Sequence, residues 1–202
     1  MARVAEVERI TGETAIRCRV DLDGTGRAEI DGPLGFLCHM LEALARHAAI
    51  DLELRYAGDT EVDHHHTTED VGLVLGSTVD RALGERKGIE RCGSAIFPMD
   101  EALARAAVDL GGRVFLAFDA WFSRERLGDL ESDTIREFFA GFAQGAAANV
   151  HAAVLSGVND HHKAEALFKA FAKALKQAVR VEPRLAGVLP STKGAIERGE
   201  GS

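Results

Sequence analysis

Two short stretches carry the residues best suited to chemistry. VDHHHTTEDVG sets His65, His66 and Glu69 in the pattern His-His-x-x-Glu, and NDHHKAEALF repeats it with His161, His162 and Glu165. Imidazole nitrogen and carboxylate oxygen together suit manganese, iron, zinc, cobalt or nickel, and the lack of clustered thiolates weakens a structural zinc site. The pattern works only on a helix, where residues three and four apart share a face and each glutamate can approach a histidine one turn away. Adjacent histidines then point about 100° apart around the axis, so each pair is better suited to two metals than to one.

The hydrophobic spacing predicts the helices that would carry these residues. Phe36, Leu37, Met40, Leu41 and Leu44 recur at helical intervals after Gly35, and HHHTTEDVGLVLGSTVDRAL, DTIREFFAGFAQGAA and HHKAEALFKAFAKALKQAV have the same character. ETAIRCRVDLDGTGRAEI predicts two strands joined by a turn at Asp23 to Gly26, while DLELRY, GGRVFLAFDAWF and NVHAAVL are strand-like. Superposing the two His-His-x-x-Glu units sets His39 opposite Glu137. The economical architecture is an internally duplicated α/β (α+β) unit, its sheets packed edge to edge or face to face with helices over an outer face. One domain of two halves, about 1–92 and 93–194, would end in a short disordered tail, 195–202. Asp63 and Asp160 stand where helix N-caps belong, and His64, without a counterpart in the second copy, fits a solvated helix start. His151 is expected as a hydrogen-bonded core histidine, and His47 either favours the negative end of its helix or touches a ligand.

The 202 residues are 46% hydrophobic and 28% charged, an ordinary soluble composition. A formal charge of -8 argues against a general nucleic-acid or anionic-membrane surface. No secretory signal precedes the first strand, and no stretch approaches the roughly 20 apolar residues of a membrane span. Cys18, Cys38 and Cys92 are odd in number and widely spaced, as reduced cytoplasmic thiols are, and Cys38 is expected as a buried small residue. A local anion site remains compatible with the net charge. LPSTKG, residues 189–194, combines a proline turn, two hydroxyls and Lys193, and such a turn offers backbone N–H groups and an ammonium to a phosphate. Arg91 and Arg113 lie beside apolar strands, where they serve either surface ion pairs or such an anion.

GFLCHMLEALARH, VDHHHTTEDVG, KGIERCGSAIFPMDEAL, GVNDHHKAEALFKAFAKAL and LPSTKG together resemble the imidazoleglycerol-phosphate dehydratase family, from about Arg9 to Gly194. The resemblance implies a ribosomal protein S5 domain 2-like fold, two similar halves packed together, and a hydro-lyase of histidine biosynthesis in the cytoplasm. It implies two Mn2+ per active site and a 24-subunit particle with active sites between subunits, acting on a small phosphorylated imidazole. The ligand positions it transfers are His39, His65, His66, Glu69, Glu137, His161, His162 and Glu165. Glu13 joins the substrate pocket with His39, His47, His65 and Glu69, while Arg91, Arg113, Ser191 and Lys193 hold the phosphate. Glu13 and Glu165 are the implied proton shuttles. The proton to be removed is activated by no carbonyl. Metal-held imidazolate that expels the neighbouring hydroxyl, through a diazafulvene-like intermediate, would make it acidic.

Three positions depart from the family pattern: Glu137 replaces a histidine, Cys38 an aspartate and Gly112 a serine. A carboxylate remains a competent manganese donor. Loss of the aspartate removes a neighbouring acceptor or a helix-start carboxylate, but no metal ligand. A binuclear hydrolase acting on a phosphorylated small molecule, and a metal-stabilised assembly module, are the competing readings. The module does not require Arg91, Arg113 and Lys193 to converge; the enzyme does.

Overall fold

The structure is a computed structural model that describes residues 2–196. Most of the tail expected to be disordered, 197–202, lies outside them. The first half runs β1 (Val4–Ile10), β2 (Thr14–Asp21), β3 (Ala28–Asp31), α1 (Gly35–Ala48), β4 (Asp51–Gly58) and α2 (His65–Leu83). The second runs β5 (Cys92–Met99), β6 (Ala102–Asp109), β7 (Phe115–Asp119), a small hairpin β8 (Arg126–Leu127) and β9 (Leu130–Glu131), α3 (Thr134–Gly145), β10 (Asn149–Ser156) and α4 (Asp160–Val179). The sheets are ordered β1-β2-β4-β3 and β5-β6-β10-β7, each with its last strand parallel to the neighbour and the others antiparallel. Apart from the extra hairpin, one connectivity is written twice. The duplication expected from the repeated motif is the architecture of the chain.

The expected turn between β2 and β3 is not a hairpin, because β4 inserts between them, antiparallel to β2 and parallel to β3. Asp51 at the start of β4 organises the connection instead, its Oδ1 accepting the backbone N–H groups of Thr25, Gly26 and Arg27. The hairpin partner of β2 is β1, a strand that hydrophobic spacing does not announce, and the same holds for the β5–β6 pair.

The helices lie inside, between the sheets, and not over an outer face as expected. The central strands have one buried and one more exposed face: Ile16, Cys18 and Val20 of β2 point inward while Arg17 faces solvent. Helix α2 packs on β1 and β2, α4 on β5 and β6, and the halves meet where α2 lies along α3 and α1 along α4. Small residues set how closely the first pair approaches. A Cβ on Gly72 or Gly76 would meet the carbonyl oxygens of Phe138 or Phe142 at 2.1 and 2.4 Å, and one on Gly141 or Gly145 those of Glu69 or Leu73 at 2.1 and 2.0 Å. These contacts advance in the same direction along both chains, so α2 and α3 run parallel. Phe138, Phe139, Phe142, Phe168 and Phe171 fill the space beside the crossing with edge and tilted ring contacts.

Arg86, 1% exposed, ties the halves with charge-assisted hydrogen bonds that satisfy its buried charge. It donates to the carbonyls of Leu110 and Ala146, both at 2.6 Å, and to Asp80 Oδ1 at 2.5 Å.

Candidate metal centre and anion cavity

The start of α4 is built by two neighbouring residues with different tasks. Asn159, not Asp160, is the N-cap, its side chain accepting the N–H groups of His161 and His162. Asp160 is buried and turned to the loop between β7 and β8, where one oxygen accepts from Ser123 N and Oγ and from Arg124 N, while Lys163 pairs with the other. Burial disfavours its charge, yet Lys163 and Ser123 prevail and hold the carboxyl at about 2. At α2 the N-cap is His64, not Asp63, which stands one residue earlier and whose Oδ1 accepts from His65 N at 2.8 Å. His64 is buried, not solvated: its Nδ1 accepts from Glu131 N and its own N–H donates to Glu131 Oε2, joining α2 to the β8–β9 hairpin.

With these starts secured, His161 and Glu165 share a face of α4, and His39 arrives from α1 of the other half. Glu165 Oε2 lies 3.2 Å from His161 Nε2 and 3.6 Å from His39 Nε2, and one donor atom from each of the three falls within 4.8 Å of the others. Spacing along one helix could not show this trio, because its third member is supplied by the packing of α1 on α4. Lys169, one turn beyond Glu165, is a site residue that the sequence motifs do not single out; its Nζ is 2.6 Å from Glu165 Oε1. Burial pushes the Glu165 carboxyl up, but Lys169 outweighs it and the carboxyl ends below its ordinary range. The i,i+4 relation of Glu165 and Lys169 was the available signal. A cavity of about 380 Å³ opens beside this group, lined also by Glu42, Arg46 and His47. The His47 ring packs edge-on against Phe97, and burial, then Lys169 and Lys173, lowers its pKa.

The corresponding residues of the duplicate are His65, Glu69 and Glu137, but among the described residues only the first trio brings its donor atoms within 4.8 Å of one another. His65 Nε2 is 3.7 Å from Glu69 Oε2. Gly141 abuts the Glu69 backbone and the helices run parallel, so one turn earlier Glu137 sits alongside His65. The Glu137 carboxylate itself is turned to Arg136, at 2.8 Å. His66 and His162 are engaged elsewhere, their ring centroids 6.1 Å from those of His65 and His161 and their Nδ1 atoms turned to other carboxylates. His66 Nδ1 is 3.1 Å from Asp59 Oδ2 and 3.9 Å from Glu13 Oε2, while His162 Nδ1 is 2.8 Å from Glu101 Oε2.

The start of α1 is held by a carboxylate from the other half. Asp129, from the β8–β9 turn, accepts the N–H groups of Gly35 and Phe36 at 2.6 and 2.9 Å, a helix-start carboxylate provided by the other half. Cys38 is only partly buried, with Sγ 3.3 Å from the Tyr56 hydroxyl.

Arg91, Gly111, Arg113, Ser191, Thr192 and Lys193 surround a second cavity of about 200 Å³. All three cations, Arg91, Arg113 and Lys193, thus line one cavity. Arg91, in the left-handed region at φ 67°, donates Nε and Nη2 to the two oxygens of Asp109 at 2.6 and 2.9 Å. Its Nη1 donates to Pro190 O at 2.8 Å and draws the LPSTKG turn against the sheet. Asp109 offsets the Arg91 charge, so Arg113 and Lys193, both exposed, supply the positive excess. Lys193→Ala should therefore weaken binding of inorganic phosphate by roughly tenfold to a hundredfold, the equivalent of about 1.5 to 3 kcal/mol, when measured by calorimetry. Unchanged binding would refute the assignment.

His151 is not in the core. It is exposed on the outer face of β10, its ring 5.8 Å from that of Phe115. No helix among the described residues is long and apolar enough to cross a membrane.

Comparison with known proteins agrees with this geometry. Residues 32–175 match the family model described as imidazoleglycerol-phosphate dehydratase. The chain is 50% identical over 196 residues to the imidazoleglycerol-phosphate dehydratase of Granulibacter bethesdensis, covering 97% of this chain and 100% of that protein. It is 49% identical to that of Ralstonia pickettii, with the same coverage. The crystal structure of IGPD from Pyrococcus furiosus superposes with a TM-score of 0.80 at 33% identity, covering 94% of this chain and 99% of that one. The Staphylococcus aureus enzyme superposes with a TM-score of 0.78 at 32% identity, covering 89% and 99%. A full-length match at this identity, over a duplicated fold that carries both histidine clusters, leaves one conclusion: the chain belongs to the imidazoleglycerol-phosphate dehydratase family.

Proposed function

We propose that this protein removes water from imidazole glycerol phosphate to give imidazole acetol phosphate, a step of histidine biosynthesis, in the cytoplasm and with two Mn2+ at each active site. The observation that carries the metal requirement is the convergence of His39, His161 and Glu165 from two helices of different halves. Two imidazole nitrogens and a carboxylate, with no thiolate, fit manganese, and His65, Glu69 and Glu137 offer a duplicate set richer in carboxylate. His66 and His162, pointing elsewhere, complete the proposed ligands from neighbouring copies. Bound manganese supplies Lewis acidity, lowering the cost of negative charge on the imidazole ring and the hydroxyl.

The side chains do the rest. Arg91, Arg113, Ser191 and Lys193 hold the phosphate and so fix the three-carbon chain. His47 walls the cavity beside His39. Glu13 and Glu165 divide two proton transfers, one taking the C–H proton and the other protonating the departing hydroxyl. The enol then tautomerises to the ketone.

One chain does not bring these parts together. Arg91 N donates to Ala178 O at 2.9 Å, near the end of α4, and the helix from Glu165 to Ala178 rises about 20 Å. No small phosphorylated imidazole spans that distance, which supports active sites shared between subunits of a 24-subunit particle. If the histidines ligate across subunits, chelation should shift the protein to smaller oligomers and restored manganese should reverse the shift, as read by sedimentation. An unchanged particle after verified metal loss would remove this part of the reading. The reaction is tested by following the ketone product and inorganic phosphate together. Dehydration releases no phosphate; stoichiometric phosphate release would establish a hydrolase instead.

A further inference from the structure

The two halves solve one problem differently at the second histidine of each pair. Glu13 immediately precedes β2 and Glu101 immediately precedes β6, the corresponding strand. Glu101 is fully engaged: Oε1 accepts the N–H groups of Val158 and Asn159 at 3.1 and 2.7 Å, and Oε2 meets His162 Nδ1 at 2.8 Å. Glu13 stands back, its Oε2 3.9 Å from His66 Nδ1 and its side chain 56% exposed. Its place against His66 is taken by Asp59, the residue directly after β4, at 3.1 Å. The residue directly after β10 is Gly157, with φ 143°. A Cβ there would come within 2.8 Å of Lys163 Cγ and 2.9 Å of Ala102 Cβ. The second half has no room for a carboxylate at that point, so the glutamate before β6 must serve the histidine.

An ionised carboxylate only accepts hydrogen bonds, so the imidazole nitrogen facing it carries the proton and the other nitrogen keeps its lone pair. Asp100 Oδ2, 3.6 Å from His162 Nε2, lies beyond hydrogen-bond reach and leaves that nitrogen available. We infer that Asp59 and Glu101 are positioning residues that hold His66 and His162 as Nδ1–H tautomers with Nε2 as metal donor, and that Asp59 thereby leaves Glu13 free for proton transfer. The inference rests on the manganese dehydratase reading and adds two residues to it.

Glu101→Gln is the decisive variant. The two backbone N–H groups at Oε1 must be met by the amide oxygen, which turns the amide NH2 toward His162 Nδ1 and imposes the opposite tautomer. The shape is kept, so the thermal midpoint measured without added metal should match the parent, and only the stabilisation conferred by manganese should shrink. Manganese affinity of the assembled protein should fall by about 10- to 100-fold, and pulsed EPR of bound Mn2+ should show one coordinated imidazole fewer. Asp59→Ala should behave differently: Glu13 can close its 3.9 Å gap to His66, so kcat should fall more than manganese affinity. Wild-type affinity and nitrogen count in Glu101→Gln would overturn the tautomer assignment while leaving the dehydratase reading standing. A parent protein that binds no Mn2+ would remove both. Loss of affinity in Asp59→Ala with kcat per bound metal unchanged would overturn the release of Glu13.

Discussion

Glu165→Gln should lower turnover by about 10²- to 10⁴-fold, the range over which a positioned acid or base accelerates proton transfer, while phosphate affinity stays near that of the parent. Glu165 is 8% exposed and stands between His161 and His39 on one side and Lys169 on the other. Glutamine keeps the shape but gives up the charge that both imidazoles and the ammonium address. It is also a poorer metal donor, so manganese content should drop with turnover. The anion cavity lies at the far end of α4 and keeps its geometry. Steady-state kinetics, direct phosphate binding and metal analysis separate these effects, since a Michaelis constant is not automatically an affinity. Turnover and metal content equal to the parent would reject Glu165 as ligand and as proton shuttle.

Gly141→Ala should destabilise the protein even though helix propensity alone favours alanine by about 1 kcal/mol. The added Cβ would sit 2.1 Å from Glu69 O and 2.8 Å from Leu73 N, both backbone atoms of α2 that no rotamer change can move. The helices must separate, at a cost of about 3 kcal/mol, the upper end for overpacked cores, leaving a net loss of about 2 kcal/mol. Separation also draws Glu137 away from His65 and Glu69, so manganese binding should weaken with stability. Thermal midpoints at equal protein and metal concentration test the sign. A variant more stable than the parent would show that the crossing is not set by this glycine.

The parts of this fold that are legible in the sequence are those governed by neighbours in the chain. Apolar residues at helical intervals place α1, α2, α3 and α4, and a carboxylate one turn from a histidine places the two clusters on helix faces. Strand pairing is not legible in the same way. β2 and β3 adjoin in sequence, but β4 offers each of them a hydrogen-bonded edge and takes the place between them. Asn159 and Asp160 are both residues that cap helices, and only the nearby Ser123, Arg124 and Lys163 draw the aspartate inward and leave the cap to asparagine.

Residue types and order were enough for the family, the repeat, the donor chemistry of the histidine clusters and the charge of the LPSTKG turn, because those follow from local periodicity and functional groups. Packing alone decided that His39 meets His161 and Glu165 across the two halves, that Asp129 caps α1, and that Asp59 and Glu101 face histidines distant in sequence. Such contacts depend on how closely helices approach and on which turn ends beside which helix. Those distances are set by glycines at a crossing and by the room left at Gly157, and they exist only once both sheets have closed over the helices between them.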